Sequence, residues 1–297
     1  ATRPDLVGDD AARNLLFLQD SLPPVPFAEI EAEIARSFAR APEALFASID
    51  PVPIGSASIA QVHRAVTSEG RDVAIKVLRP GIRERFARDI ATYEWAAAHL
   101  EALGGEAERL RPRQTIANFK RWTNRELDLR REAASASELA AAMQGFAGYR
   151  VPQVDWDRTN GRVMTTDWIE GIKISDREAL LAAGHDLPQL ASRLVLAFLT
   201  QAISAGFFHA DMHQGNLIVQ PDGTIAAIDF GIMGRIDRRA RQWLAEILYG
   251  LTTGNYRRVA EIHFEAQYVP AHHSIDEFAT ALRAVGEPMR GKPVSEL

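Results

Sequence analysis

The chain has 297 residues and a net charge of −5, with 46% hydrophobic residues, 25% charged residues and no cysteine. This composition is typical of a globular protein long enough for two modest domains. It excludes disulfides and cysteine-based zinc sites, and the acidic balance gives no indication of a nucleic-acid-binding surface. The most apolar long segment, residues 190–210, contains Arg193, Gln201 and Ser204. It therefore predicts a buried helix rather than a membrane span.

The first 49 residues predict a helical extension. Residues 1–20 are expected to form one helix, with three leucines near one face. After a proline-rich break, residues 27–39 carry apolar side chains at helical spacing, which predicts a second helix. A third, short helix is expected over residues 42–46.

The apolar spacing then changes to that of strands. Residues 50–66 alternate small and β-branched side chains, and residues 72–78 follow after a turn, which predicts a β-hairpin. Ser56, Ala57 and Ser58 lie in a loop of small residues at the start of this hairpin. Small residues allow the backbone to approach a phosphate closely and to donate N–H groups to it.

Lys76 lies inside the second strand of the hairpin, among apolar neighbours. Such a lysine either extends to the edge of the sheet or contacts an anion, and the adjacent small-residue loop favours the anion. Two long helices are predicted next, over residues 82–103 and 115–145. The second contains Glu126 and Glu132, and we expect Glu132 to be the carboxylate that pairs with Lys76, since a buried cation needs a partner.

The following segment predicts a second pair of strands. Residues 151–154 and 162–166 surround an Asn-Gly dipeptide, which is a strong hairpin signal. The link after the second strand could bind an adenine base through its backbone. For this role we predict the carbonyl of Asp167 and the N–H of Ile169.

The segment from His209 to Gly231 carries the densest chemistry. Asp211 and Asn216 lie in one loop, and residues 217–228 read as strand, turn and strand, so Asn216 and Asp229 are expected side by side at the base of a hairpin. A carboxylate and an amide oxygen suit Mg²⁺ when phosphates supply further ligands. Asp211 is then predicted to position or deprotonate a nucleophile.

The rest of the chain reads as helical, and a domain boundary is expected near Gly171. The predicted helices cover residues 176–183, 187–205, 238–250, 256–267 and 275–285. We therefore predict three parts, residues 1–49, 50–171 and 172–297.

The order of these motifs resembles that of a protein kinase: small-residue loop, Val-Ala-Ile-Lys, helical glutamate, hinge, His-x-Asp…Asn and Asp-Phe-Gly. More narrowly, the chain resembles the UbiB/ADCK family of atypical kinase-like ATPases, in bacterial form. Three stretches carry the resemblance: Ser56 to His63, Glu126 to Glu132, and His209 to Asn216. It implies an α+β, bilobed protein-kinase-like fold with an N-terminal helical extension and helical insertions in the N-lobe.

The resemblance also implies roles for individual residues, with ATP and Mg²⁺ as cofactors. It places Asp211, Lys76 and Glu132 in catalysis and Asn216 and Asp229 on the metal. The implied nucleotide-binding residues are Ser56, Ala57, Ser58, Lys76, Asp167, Ile169 and Glu126.

Family members support ubiquinone biosynthesis and are better described as ATPases than as protein kinases. The resemblance implies a lipid-like or small-molecule acceptor, ubiquinone-biosynthesis proteins as partners, and a longer parent protein at the cytoplasmic face of the inner membrane. The family's K-x-G-Q motif and membrane helices do not occur in this sequence. We therefore expect a chain truncated at both ends and soluble on its own.

Two other functions fit the same residues. One is a nucleotide-gated pseudokinase that acts as a scaffold for membrane-bound enzymes. The other is a small-molecule kinase similar to the aminoglycoside phosphotransferases, although the Ser56 to His63 loop and the two helical glutamates argue against it. After Gly231 the sequence passes almost directly into a helix at Arg238. Because protein kinases hold peptide substrates on a long segment at this place, its absence argues against ordinary protein substrates.

Overall fold

The computed structural model describes residues 23–102, 104 and 109–292. The helix predicted over residues 1–20 lies outside them. Contacts within the chain define two compact units. The first comprises Ala1–Ser137 and Pro152–Ile169, and the second Glu138–Val151 and Glu170–Leu297. The three-part division expected from the sequence remains a prediction.

The first unit is built on a five-stranded antiparallel sheet. Helix α1 (Phe27–Phe38) and a 3₁₀ turn (Pro42–Ala44) precede it. The strands are β1 (Phe46–Ile49), β2 (Gly55–Ser56), β3 (Ala60–Thr67), β4 (Asp72–Leu78) and β6 (Val163–Asp167). They run in the order β1-β3-β4-β6, with β2 paired to β3.

Alternation along β4 separates the core face of the sheet from the face that carries Lys76. Val73, Ile75 and Val77 are fully buried, whereas Lys76 between them is only half-buried. Ile30 and Ile34 of α1 pack into the same core. The helix predicted over residues 42–46 is wrong in part, because it is a single 3₁₀ turn and the buried Phe46 begins β1.

Between β4 and residue 149, the described residues form three helices: α2 (Ile82–Ala102), α3 (Pro112–Glu126) and α4 (Leu129–Ala142). The single helix predicted over residues 115–145 is therefore wrong, since the chain breaks at Leu127 and Asp128. Two contacts account for the break. Arg83 Nε donates to the Leu127 carbonyl at 3.1 Å, and the Asp128 side chain accepts from the Arg130 backbone N–H at 3.2 Å. Both replace bonds that a continuous helix would have made.

The hairpin predicted around Asn160 is confirmed only in part, because its second strand is present as β6 while its first strand is not formed. Residues 151–154 contribute only an isolated bridge from Val154 to Thr166, and a 3₁₀ turn (Trp156–Arg158) follows. The Asn160 side chain accepts from the N–H groups of residues 162 and 163, at 2.8 and 3.1 Å. This local Asx turn replaces the two-residue hairpin turn.

The second unit contains two small sheets. Strands β5 (Tyr149–Arg150), β7 (Ile172–Lys173), β9 (Leu217–Val219) and β10 (Ile225–Ala227) form one, in the order β5-β10-β9-β7. Strands β8 (Phe207–His209) and β11 (Met233–Arg235) form the other. The predicted hairpin of β9 and β10 is confirmed, and its register places Leu217 opposite Ala227.

The five helices predicted for the C-terminal half are present. They are α5 (Arg177–Ala182), α6 (Leu187–Leu199), α7 (Arg238–Thr253), α8 (Tyr256–Glu265) and α9 (Ile275–Gly286). A 3₁₀ turn (Gln214–Asn216) precedes β9. Asp, Asn or Ser side chains cap the first turns of these helices, as at Asp186 and Asp237.

The helix predicted over residues 187–205 changes character at its end. Helix α6 ends at Leu199, and the chain continues as a π-helix (Thr200–Ala205). The expectation that it is buried holds only on one side, because Val195 and Leu196 are 49% and 57% exposed. No helix of the described residues combines the length and apolarity needed to cross a membrane.

Candidate active site

The first unit contains the ion pair expected between strand and helix. Lys76 Nζ on β4 donates to Glu132 Oε1 in the first turn of α4, at 2.6 Å. The side chains are 20% and 9% exposed, so both charges are largely removed from water. Because an ammonium group carries three N–H donors, the lysine can bind a second anion while it keeps Glu132.

The small-residue loop lies at the start of the same sheet. Ser56 is half-buried, while Ala57 and Ser58 are exposed. Arg79 holds the loop, since its Nη2 donates to Ser56 Oγ and its Nε to the Ala57 carbonyl, both at 2.9 Å. The sequence reasoning did not select Arg79, which directly follows the strand of Lys76.

The other residues predicted for the first unit lie at the ends of elements. Asp167 ends β6 opposite Val73, and its N–H donates to the Gln153 carbonyl at 2.9 Å. Ile169 is buried. Glu126 is the last residue of α3, whereas the ion pair with Lys76 uses the glutamate on α4. The adenine and nucleotide roles of these residues remain predictions.

In the second unit, the candidate catalytic loop is organised around the buried ring of His209. The Asp211 backbone N–H donates to His209 Nδ1 at 3.1 Å. Nδ1 is therefore the unprotonated nitrogen, and Nε2 donates to the Asp229 carbonyl at 2.5 Å. Burial lowers the pKa of His209, partly offset by the bond to the Asp229 carbonyl, which favours the neutral ring that this network requires.

The loop between His209 and β9 closes on itself through Asp211. Asn216 Nδ2 donates to the Asp211 carbonyl at 3.2 Å, and the His213 N–H donates to the same oxygen at 2.9 Å. The Asp211 side chain is 45% exposed, with His213 Nε2 at 3.9 Å from Oδ2. The backbone thus fixes the loop, while the carboxylate faces solvent and can accept a proton or orient a hydroxyl group.

The hairpin brings the two candidate metal ligands to its base. The Ile228 N–H donates to the Asn216 carbonyl at 3.0 Å, so Asn216 accepts the last bond of the ladder and Asp229 directly follows its donor. Asp229 Oδ1 accepts from the Gly231 N–H at 2.9 Å. Phe230 is buried, with its ring centroid 5.9 Å from that of His209. The segment 229–231 is therefore fixed by hydrogen bonds to the carbonyl and the carboxylate of Asp229 and by the packing of the Phe230 ring.

The donor set suits Mg²⁺. Because Asn216 Nδ2 donates to Asp211, its amide oxygen is the atom left to act as a ligand, beside the Asp229 carboxylate. No group of three His, Cys, Asp or Glu side chains arranged to hold a metal occurs in the described part of the chain. Two oxygen ligands with phosphate and water completing the shell is the usual arrangement for this ion.

Two residues of this network were missed by the sequence reasoning. His213 accepts from the Gly215 N–H at 3.0 Å and so caps the 3₁₀ turn before β9. Gln201, in the π-helix, accepts from the His209 backbone N–H at 3.0 Å. The only signal available for Gln201 was an amide within the most apolar long segment of the chain.

Comparison with known proteins identifies the family. Residues 17–263 match the ABC1 atypical kinase-like domain. Relatives named "Probable protein kinase UbiB" are 38% identical in Marinobacter nauticus, 37% in Xylella fastidiosa and 38% in Cellvibrio japonicus. Each match covers all of this chain and 54–55% of the relative, so the chain spans about half the length of these proteins.

Similarity to a solved structure agrees with this match. The structure titled "The complex structure of Rv3197-erythromycin from Mycobacterium tuberculosis" is 27% identical, with a TM-score of 0.71, over 96% of this chain and 71% of that one. The α+β, kinase-like fold expected from the sequence is confirmed. The family match covers most of the chain, and three relatives exceed one-third identity over all of it. The chain therefore belongs to the ABC1 family of atypical kinase-like proteins, as the resemblance to UbiB predicted.

Proposed function

We propose that this chain is the catalytic part of an Mg²⁺-dependent atypical kinase or ATPase that supports ubiquinone biosynthesis. The relatives named UbiB support the pathway, and the kinase-like fold supports the use of ATP. The proposal assigns the triphosphate to Lys76 of the first unit and the metal to Asn216 and Asp229 of the second.

The ion pair between Lys76 and Glu132 carries this proposal. In kinases, a strand lysine held by a helical glutamate orients its ammonium group toward the phosphates. Here the two residues lie 56 positions apart in sequence and still meet at 2.6 Å with both side chains mostly buried. A purely structural lysine on this strand would more often extend its charge to solvent.

The residues of the second unit would supply positioning rather than covalent chemistry. Mg²⁺ bound at Asn216 and Asp229 would neutralise phosphate charge. The exposed carboxylate of Asp211 would orient water or a hydroxyl group and accept its proton. Phosphoryl transfer depends mainly on such placement and on electrostatic stabilisation.

We propose a lipid-like or small-molecule acceptor, or water, rather than a protein substrate. Residues 232–237, which separate Asp229-Phe-Gly from α7, include the short strand β11 and leave no long segment for binding a peptide. The partners would be ubiquinone-biosynthesis proteins. The longer parent protein would work at the cytoplasmic face of the inner membrane, because a lipid-like acceptor would dissolve in that membrane.

A thermal melt tests nucleotide binding directly. The chain is heated with and without ATP and Mg²⁺, in wild type and in Asp229→Asn. Ligand at about a hundred times its dissociation constant adds roughly 2.7 kcal/mol to the stability of the folded state. Wild type should therefore melt at a higher temperature with ATP and Mg²⁺, and Asp229→Asn should not. A wild-type melt unchanged at saturating nucleotide would overturn the proposal.

The alternative of a nucleotide-gated pseudokinase scaffold is decided by Asp211→Asn. This change leaves the phosphate and metal ligands in place, so the melt should still respond to ATP. An enzyme would lose ATP hydrolysis and fail to complement a ubiquinone-deficient strain when placed in the full-length protein. A scaffold would keep complementation.

A further inference from the structure

Gln201 occupies an unusual position in the second unit. It lies in the π-helix (Thr200–Ala205) and is fully buried. π-helical turns are rare in proteins and are frequent at functional sites. A buried amide also loses its bonds to water, so it is tolerated where it makes an internal hydrogen bond. The Gln201 side chain accepts such a bond from the backbone of His209.

This bond lies on the side of β8 away from β11. Strand β8 pairs with β11 through residues 207–209, and the Ala210 N–H continues that pairing by donating to Ile232. The His209 N–H donates instead to Gln201 Oε1 at 3.0 Å. The backbone of His209 is therefore held by the π-helix, and its ring by Asp211 and Asp229.

We propose that Gln201 is a positioning residue for phosphoryl transfer, acting through His209. By fixing the His209 backbone, Gln201 sets the ring so that Nδ1 accepts from the Asp211 N–H while Nε2 donates to the Asp229 carbonyl. In this proposal, the π-helix orients the Gln201 side chain toward β8. The inference rests on the proposed function, since it gives these two aspartates their catalytic and metal roles.

Tyr149 offers a matched control. Its hydroxyl is buried near the Gln201 side chain, and burial raises the pKa of Tyr149 to about 12. Among the described residues, neither this hydroxyl nor Gln201 Nε2 meets hydrogen-bond geometry with a partner. Tyr149→Phe therefore changes the surroundings of Gln201 without removing the bond to His209.

The experiment compares ATP hydrolysis by four variants with wild type. Gln201→Met removes the acceptor at similar length, and Gln201→Asn withdraws it by one methylene while keeping a buried amide. Gln201→Glu keeps an acceptor oxygen. Tyr149→Phe is the control. If Gln201→Met does not fold, Gln201→Asn carries the same comparison.

We expect Gln201→Met and Gln201→Asn to lower kcat by about tenfold to a hundredfold, as loss of an outer contact to a metal-site residue does. The KM for ATP should be nearly unchanged, because no nucleotide ligand is altered. Gln201→Glu should retain most of the activity, and Tyr149→Phe all of it. An unchanged kcat in both Gln201→Met and Gln201→Asn would overturn the inference, as would an equal loss in Tyr149→Phe.

A second measurement tests the positioning without nucleotide. Nitrogen-15 NMR of the His209 ring, assigned with His209→Gln, should show the Nε2–H tautomer in wild type and Tyr149→Phe, and a mixture of tautomers in Gln201→Met. If wild type neither binds nor hydrolyses ATP, the proposed function fails, and this spectrum still decides whether Gln201 sets the ring. An unchanged ring spectrum in Gln201→Met overturns the positioning role.

Discussion

The two units hold their candidate functional side chains in different ways. In the first, Lys76 and Glu132 meet through an ion pair between a strand and a helix. In the second, Asp211 and Asp229 are fixed by main-chain groups that converge on His209. The first arrangement depends on charge and the second on backbone conformation. The two units should therefore respond to different substitutions.

The largest expected effect comes from changing the carboxylate of Asp211, whose backbone rather than side chain holds the loop. Asp211→Asn should lower kcat for ATP hydrolysis by roughly 10²–10⁴-fold, the usual contribution of a general base. The melting temperature should stay within error of wild type, because the backbone of Asp211 makes the loop contacts. Steady-state kinetics and calorimetry on the same preparations measure both.

Asp157→Asn, an exposed aspartate outside the site, is the control for this change of charge. A large loss of stability in Asp211→Asn would contradict the view that Asp211 holds the loop through its backbone rather than its carboxylate.

In the first unit, removing a candidate functional carboxylate should instead cost stability. Glu132→Ala leaves the ammonium group of Lys76 largely buried without its partner, which should lower the free energy of unfolding by about 3 kcal/mol. Lys76→Met combined with Glu132→Leu should regain much of this loss while abolishing activity. Urea denaturation of the two variants gives the comparison.

The matched control is Glu94→Ala. Glu94 pairs with Lys120 at 2.9 Å, but both side chains are well exposed. Loss of this pair should cost less than about 1 kcal/mol. Equal losses in Glu94→Ala and Glu132→Ala would show that burial does not distinguish the two pairs.

Backbone conformation is tested at Gly206, which directly precedes β8. Its φ is +70°, and an added Cβ would lie 2.8 Å from the Ile236 carbonyl. Gly206→Ala should therefore cost about 2 kcal/mol of stability, whereas Gly184→Ala, with a φ of +82° and open space, should cost about 1 kcal/mol. Chemical denaturation compares them, and a smaller cost at Gly206 than at Gly184 would contradict the role assigned to the close carbonyl.

The smallest expected effect depends on pH and again concerns charge in the first unit. The hydrogen bond from the buried Arg158 guanidinium lowers the pKa of Glu69 from 4.5 to about 2. A lowered pKa stabilises the fold above the unfolded value and loses that effect as the pH falls toward the folded one. The melting-temperature difference between wild type and Glu69→Gln should therefore shrink between about pH 5 and pH 2. A difference that grows over this range would contradict the assignment.

Prediction from the sequence was most accurate where the candidate site lies in a short, continuous stretch of residues. The hairpin from Leu217 to Ala227 follows from two apolar runs around a Pro-Asp-Gly turn, and its length alone places Asn216 beside Asp229. The strand of Lys76 was equally clear, because apolar residues alternate around it. The pairing of Lys76 with Glu132 was expected because a buried lysine needs a carboxylate partner, and the family resemblance placed Glu132 in that role.

Prediction failed where one side chain acts over a long distance in sequence. The break between α3 and α4 depends on Arg83, which lies 44 residues before the Leu127 carbonyl that it binds. The position of Gln201 depends on a π-helical turn. The residue spacing of such a turn differs too little from that of an α-helix to be recognised from the apolar periodicity of the sequence. In both cases local propensity favoured a continuous helix and tertiary contacts overrode it.

The path of the chain between its two units limits how the protein can be divided. The backbone passes from the first unit to the second after Ser137, returns after Val151 and passes again after Ile169. A fragment that ended at Ile169 would include β5 without β10, the strand to which it pairs. Neither unit is therefore encoded by one continuous stretch of the gene. A protease cut at any one of these three points would leave two pieces, with the residues of at least one unit divided between them. Exchange of one unit between relatives would need three junctions rather than one.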